Sequence, residues 1–233
     1  MQSGFETLFL DDQNEESAPY EMLTLRDLKQ LVKKGEGYQL EFKMKVKFPE
    51  KIVREMVAFA NSNGGTLLLG VGDLGEIAGL QFPDEDQFVM DQAIEKFCFP
   101  AFSFVSYKIT LNEQRAILVY QVFPSLEKPH FVQLPEDEHP KCFVRNKDKS
   151  IQATKEMKQI LRRWDEDGIQ FTYGEAEKLL ITYLQKNQKI TLKEFEKLAN
   201  LPTWLASRKL VLLVLTNVLH ITPEENFDTY SLK

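Results

Sequence analysis

Gly35-Glu-Gly-Tyr-Gln-Leu-Glu-Phe-Lys43 opens the stretch whose reading decides the fold. Val57-Ala-Phe-Ala-Asn-Ser-Asn-Gly-Gly-Thr-Leu-Leu-Leu-Gly-Val-Gly-Asp-Leu-Gly-Glu-Ile-Ala-Gly-Leu80 closes it. Between them, Leu40, Phe42, Met44 and Val46 alternate with Glu41, Lys43 and Lys45. A period of two is that of a half-buried strand, one face in the core and the other charged. Pro49 suits the first turn of a helix, and Ile52, Met56, Val57, Phe59 and Ala60 follow at helical spacing. Asn63-Gly64-Gly65 ends that helix, because glycine reaches left-handed φ at no steric cost. Residues 66–71 form an apolar run, the pattern of a strand buried on both faces. Asp73-Leu-Gly75 turns the chain tightly into a second short strand over 76–80. Strand, helix and hairpin make an α+β framework.

Working outward, residues 1–20 hold Glu6, Asp11, Asp12, Glu15 and Glu16 with no Lys or Arg, a charge of −5. They read as a flexible acidic arm, with Phe5, Leu8, Phe9 and Leu10 available to dock. Thr24 N-caps a short helix to Lys33 that turns Leu25, Leu28 and Leu31 inward. Beyond the framework, Pro83-Asp84 opens a helix to about Phe97, with Phe88, Ile94 and Phe97 on its core side. Residues 102–109 and 115–122 read as a hairpin, 131–132 and 142–145 as short strands among proline-rich loops. Thr154 starts a helix to Trp164, and Asp165-Glu-Asp-Gly168 ends it, so the first domain spans 21–167. In residues 172–233 an amphipathic helix, Glu175 to Lys186, precedes the capping box Thr191-Leu-Lys-Glu194. A third helix from Pro202-Thr203 and a two-strand wing (220–222, 229–232) complete a module that resembles a winged helix.

The chain of 233 residues is 43% hydrophobic and 27% charged, enough to build a real core. No apolar run reaches membrane-spanning length, and no basic-then-apolar leader opens the sequence. Cys98 and Cys142 sit in apolar contexts, as free thiols of a cytoplasmic protein would. A net charge of −6 argues against coating by nucleic acid. Residues 29–54 nevertheless hold eight basic against three acidic side chains, a local +5 that overlaps the framework. Residues 172–233 balance eight basic against seven acidic, leaving DNA contact and protein docking both open for that module.

Glu36, Glu41 and Asp73 are the candidate catalytic and metal-ligating residues. Clustered carboxylates offer the hard oxygens that Mg²⁺ or Mn²⁺ need in phosphodiester cleavage. Glu41 is expected on the polar face of the first strand, Glu36 in the loop entering it, and Asp73 at the end of the buried strand. Lys43 shares the face of Glu41 and is placed to stabilise charge on a phosphate. Candidate phosphate contacts are Lys43, Lys45, Lys47, Arg145 and Lys147, with Arg208 and Lys209 in the C-terminal module. The same residues also read as ordinary solvated charges, and Asp73-x-Gly75 as plain turn chemistry. No Gly-x4-Gly-Lys-Ser/Thr loop and no Gly-x-Ser-x-Gly elbow supports a nucleotidase or a hydrolase triad. His139-x2-Cys142 supplies only half a zinc site.

Taken together, Glu-x4-Glu-Phe-Lys, Ala-Phe-Ala-Asn-x2-Gly-Gly and Leu-Gly-Val-x-Asp with Gly-Leu beyond resemble the AlbA-like domain of the Schlafen family. The resemblance extends through Lys128-Pro129-His130 and Phe143-Val-Arg145 to about residue 165. It implies an AlbA-like mixed sheet with packed helices. Glu36, Glu41, Asp73 and Lys43 match the nuclease centre of RNA-cleaving members, which implies metal-dependent cleavage of structured RNA such as tRNA. Bacterial relatives resemble DNA-binding regulators instead. The nuclease members resemble paired domains with a zinc site, whereas this chain carries one copy without those cysteines; a homodimer is expected, and it could restore the two-lobed pair. Three readings follow: a regulatory protein binding DNA or structured RNA, an endoribonuclease, and a protein-interaction module with neither activity.

Overall fold

A computed structural model describes residues 22–233, so the expected acidic arm lies outside the described residues. These residues divide into two units, between Ser150 and Ile151.

The first unit opens with α1 (Leu25–Lys34), whose capping box joins Thr24 and Asp27 reciprocally. The strand β1 (Leu40–Lys43), the helix α2 (Pro49–Asn61) and the strand β2 (Gly65–Leu69) form a crossover, with Leu40 opposite Thr66 in parallel register. The helix α3 (Pro83–Phe97) leads through β3 (Cys98–Phe99) to an antiparallel hairpin, β4 (Phe104–Asn112) and β5 (Arg115–Val122). The sheet order is β1-β2-β5-β4, a mixed sheet. Two short strands, β6 (Phe131–Val132) and β7 (Phe143–Asn146), follow; β6 pairs with β3, and β7 with β8 (Lys149–Gln152).

Both faces of this sheet are covered, as the apolar run of β2 requires. Leu67, Leu69, Leu118 and Tyr120 pack with Met56 and Phe59 of α2 and Met90 of α3. Leu68, Val119 and Phe42 pack on the opposite face with Leu28 and Val32 of α1. Gly64, at φ +73°, is required where α2 turns into β2, since a Cβ there would lie 2.7 Å from the Val122 carbonyl oxygen.

Two local expectations are corrected. Residues 76–80 form isolated bridges (Val71 with Ile77, Leu80 with Ala116) rather than a regular strand, because Gly70 and Gly79 at positive φ bend the backbone. Phe88 is exposed rather than in the core, because the inner stripe of α3 is Met90, Ala93 and Ile94.

The second unit comprises α4 (Lys155–Arg162), α5 (Glu175–Asn187), β9 (Lys189–Thr191), α6 (Leu192–Ala199), α7 (Thr203–Leu215), β10 (Leu219–Pro223) and β11 (Asp228–Leu232). Its antiparallel sheet has the order β10-β11-β9. The strand β9 escaped the sequence reading because it is three residues long and ends in Thr191, which also caps α6. The break falls ahead of α4 instead of near Gly168. The Thr154 hydroxyl donates to Asp228, and the Ser207 hydroxyl to Glu156 at 2.5 Å, tying α4 into this unit. Among the described residues no single helix is long and apolar enough to cross a membrane.

Candidate functional site

The alternation along β1 sends Leu40 and Phe42 to the α1 side of the sheet. Glu41 and Lys43 therefore project to the other side. That side is not solvent. Glu41 is 5% exposed, which corrects the expected polar face. The cause is Arg145 of β7, itself fully buried. Its Nη1 donates to Glu41 Oε2 at 3.1 Å, to Glu55 Oε2 at 2.8 Å and to Ser150 Oγ at 3.1 Å. Its Nη2 donates to the Gly37 carbonyl at 2.7 Å, and its Nε to the Tyr38 carbonyl at 3.3 Å. The guanidinium lies 4.8 Å over the Phe59 ring. Every face of the group is used, so Arg145 holds carboxylates and main chain rather than phosphate, a correction to its expected role.

Lys43 completes the network by donating to Glu41 Oε1 and to the Phe42 carbonyl at 3.0 Å. Both oxygens of Glu41 thus face cations. Two anions, Glu41 and Glu55, meet two cations, Arg145 and Lys43. A buried set of charges is tolerable only when it is paired in this way. Burial works to lower the Lys43 pKa, but the hydrogen bond and charge of Glu41, with Glu55 and Glu36, outweigh it and raise it. Burial, followed by the charge of Glu41, raises the Glu55 pKa against the pull of Ser150, Arg145 and Lys43.

Glu36 sits at the margin, half-buried, with Oε1 accepting the Phe42 N–H at 2.8 Å. Burial raises its pKa first; the Phe42 bond and Lys43 oppose this, while the charges of Glu41 and Asp73 add to it. Glu36 therefore feels the charge of both other members of the expected trio. Asp73 is exposed in the turn closed by the Gly75 N–H bond to the Gly72 carbonyl at 2.8 Å. As arranged, the trio does not fit a metal ion. Among the described residues no three His, Cys, Asp or Glu side chains are grouped to hold one, and both Glu41 oxygens are engaged.

Of the remaining candidates, Lys45 and Lys47 are exposed in the loop after β1, and Lys147 is exposed at the β7–β8 turn. In the second unit Arg208 is exposed on α7. Lys209 is corrected: its ammonium is bound to buried Glu177 of α5 and serves the fold.

Sequence reasoning missed Glu55, Ser150, Asn61 and Ser62. Glu55 carried a signal, since it lies between Ile52 and Phe59 at core-facing helical spacing. Asn61 is fully buried. Its Nδ2 donates to the His130 and Phe143 carbonyls at 3.0 and 2.9 Å, and its Oδ1 accepts the His130 N–H at 2.7 Å. Ser62 Oγ accepts the Arg145 N–H at 2.9 Å. The pair staples residues 130–145 to the end of α2, which positions Arg145 over β1.

Comparisons with known proteins bear on this unit. The N-terminal domain of an ATP-dependent DNA helicase RecG-related protein from Nitrosomonas europaea is 19% identical, with a TM-score of 0.38, covering 51% of this chain and 86% of that one. The DIP2311 protein from Corynebacterium diphtheriae is also 19% identical, with a TM-score of 0.40, covering 54% of this chain and 27% of that one. No curated protein matches the chain significantly. The Schlafen, AlbA_2 family matches residues 36–154, the span that carries β1, α2, the staple and Arg145. That match covers just over half of the sequence, and the chain belongs to the Schlafen, AlbA_2 family.

Proposed function

We propose that this chain is a nucleic-acid-binding protein of a regulatory kind, gripping phosphates with surface lysines of its first unit. The observation that carries the reading is a division of labour among its cations. Arg145 and Lys43 are occupied by carboxylates, whereas Lys45, Lys47, Lys51 and Lys147 are exposed. Exposed lysines on one loop and its neighbours supply phosphate contacts without committing the protein to a sequence. The net charge of −6 keeps such contacts local. The C-terminal module has the element order of a winged helix, but its wing turn carries Glu224 and Glu225, which repel phosphate. Protein docking suits it better. Among the described residues the outer edge of β4 has no neighbouring strand, which supports a homodimer.

The test is a gel-shift titration of total tRNA and of duplex DNA at low salt. Retardation of either supports the reading. No shift of either leaves the interaction module in its place.

A second reading, a metal-dependent endoribonuclease, draws on the charges of Glu41 and Asp73 that act on Glu36. It requires Lys43 to leave Glu41 before an ion could bind. Discrete tRNA fragments that need Mn²⁺ and vanish with Glu41→Gln would support it; intact tRNA under both conditions removes it.

A further inference from the structure

We propose that Phe48 is a stacking platform for an unpaired nucleobase, with Lys47 and Lys51 as its phosphate contacts; this rests on the nucleic-acid reading above. Phe48 ends the loop that follows β1 and occupies the N-cap of α2, where a phenyl ring cannot cap. Two residues earlier, Val46 packs on the core, but the Phe48 ring is 47% exposed. The Lys47 and Lys51 ammoniums lie 5.2 and 4.9 Å from its centroid. A half-exposed ring thus stands beside two exposed lysines at the start of a helix, whose dipole also favours anions.

That combination is the chemistry of single-stranded nucleic-acid binding. An aromatic face takes a base of any identity, and flexible cations take the flanking phosphates. Exposed cation–π contacts are worth under about 1 kcal/mol, so the lysines exchange ring for phosphate readily. A paired duplex buries the faces of its bases, so the occupant is an unpaired nucleotide. Met44, in the same loop, lies against the Asp73 turn, since a Cβ on Gly72 would come 2.7 Å from Met44 Cε. The loop that carries Phe48 thus also reaches the Gly72–Gly75 turn.

The experiment is fluorescence anisotropy with a labelled oligothymidylate, an abasic strand of equal length and a blunt duplex. The proteins are the wild type, Phe48→Ala, Phe48→Trp and the Lys47→Ala/Lys51→Ala pair, each checked for an unchanged melting temperature. Phe48→Ala is expected to weaken oligothymidylate binding about tenfold, within the range for loss of one stacked base. It should leave the abasic strand and the duplex unaffected. Phe48→Trp should bind at least as well as wild type, with its emission quenched on binding. If Phe48→Ala binds all three probes as wild type does while the lysine pair weakens all of them, the platform is wrong and the nucleic-acid reading stands. If wild type binds none of the probes, both fall, and an acidic segment such as residues 1–20 becomes the occupant to test.

Discussion

Arg145 Nη1 lies 3.1 Å from Glu41 Oε2, joining residues 104 positions apart. The contact fixes what each residue is. Glu41 is a held carboxylate rather than a free one, and Arg145 is an interior strut rather than a surface cation. Arg145→Met removes one partner of a buried ionic network and strands Glu41 and Glu55. We expect a loss of about 3–5 kcal/mol, read as a lower midpoint in urea unfolding. Arg145→Lys should not restore it, because one ammonium cannot reproduce a planar fork spread over two carboxylates and two carbonyls. Wild-type stability in either variant would show that the network contributes nothing.

Asn61 makes a parallel case without charge. Asn61→Ala leaves the His130 N–H and the His130 and Phe143 carbonyls without their partner in a buried place. The expected cost is about 3 kcal/mol, from unsatisfied groups at roughly 1–3 kcal/mol each. Hydrogen exchange should quicken over residues 128–145 before it does elsewhere.

Lys43 sets the titration of its neighbours. Its charge lowers the pKa of both Glu36 and Glu55, against burial that raises them. In Lys43→Met both carboxyls should titrate at higher pH than in wild type, measured by carbon-detected NMR of the side-chain carboxyls. Unmoved titrations would place the Lys43 ammonium away from this cluster.

Asp228 in the second unit is a pH-dependent element. Burial pushes its pKa up to about 7; the Thr154 hydroxyl pulls it down, and the charges of Glu156 and Glu224 push it up again. The folded value lies above the ordinary 3.8, so the folded state holds a proton that the unfolded chain has released. The stability from this group is present below about pH 4 and is lost as pH rises towards 7. Asp228→Asn should raise the melting temperature at pH 8 and flatten that decline. A variant as pH-dependent as wild type between pH 4 and 7 would assign the effect to another group.

The sequence was most legible where one cause acted alone. The two-sided burial of β2 followed from its unbroken apolar run, and Thr24, Thr154 and Thr191 capped the helices expected of them. Glu41 was legible as a strand residue but not as a buried one. Alternation tells which residues share a face, and only tertiary structure tells what covers that face. The cover here is β7, positioned by Asn61 and Ser62 from the far end of α2. Glu36 was brought near enough to feel Glu41 and Asp73, whereas Arg145 and Lys209 turned inward to carboxylates that no local pattern pairs with them.

The most direct test of the proposed grip on nucleic acid by exposed lysines is the salt dependence of binding. The logarithm of the association constant for a structured RNA and for duplex DNA would be measured against the logarithm of salt concentration, for wild type and for Lys45→Ala/Lys47→Ala/Lys51→Ala. The expected result is a negative slope whose magnitude falls by about one for each lysine that contacts phosphate. Arg208→Ala should leave that slope unchanged. Binding without a salt slope, or a slope that the triple substitution does not alter, would contradict the proposed role of these lysines.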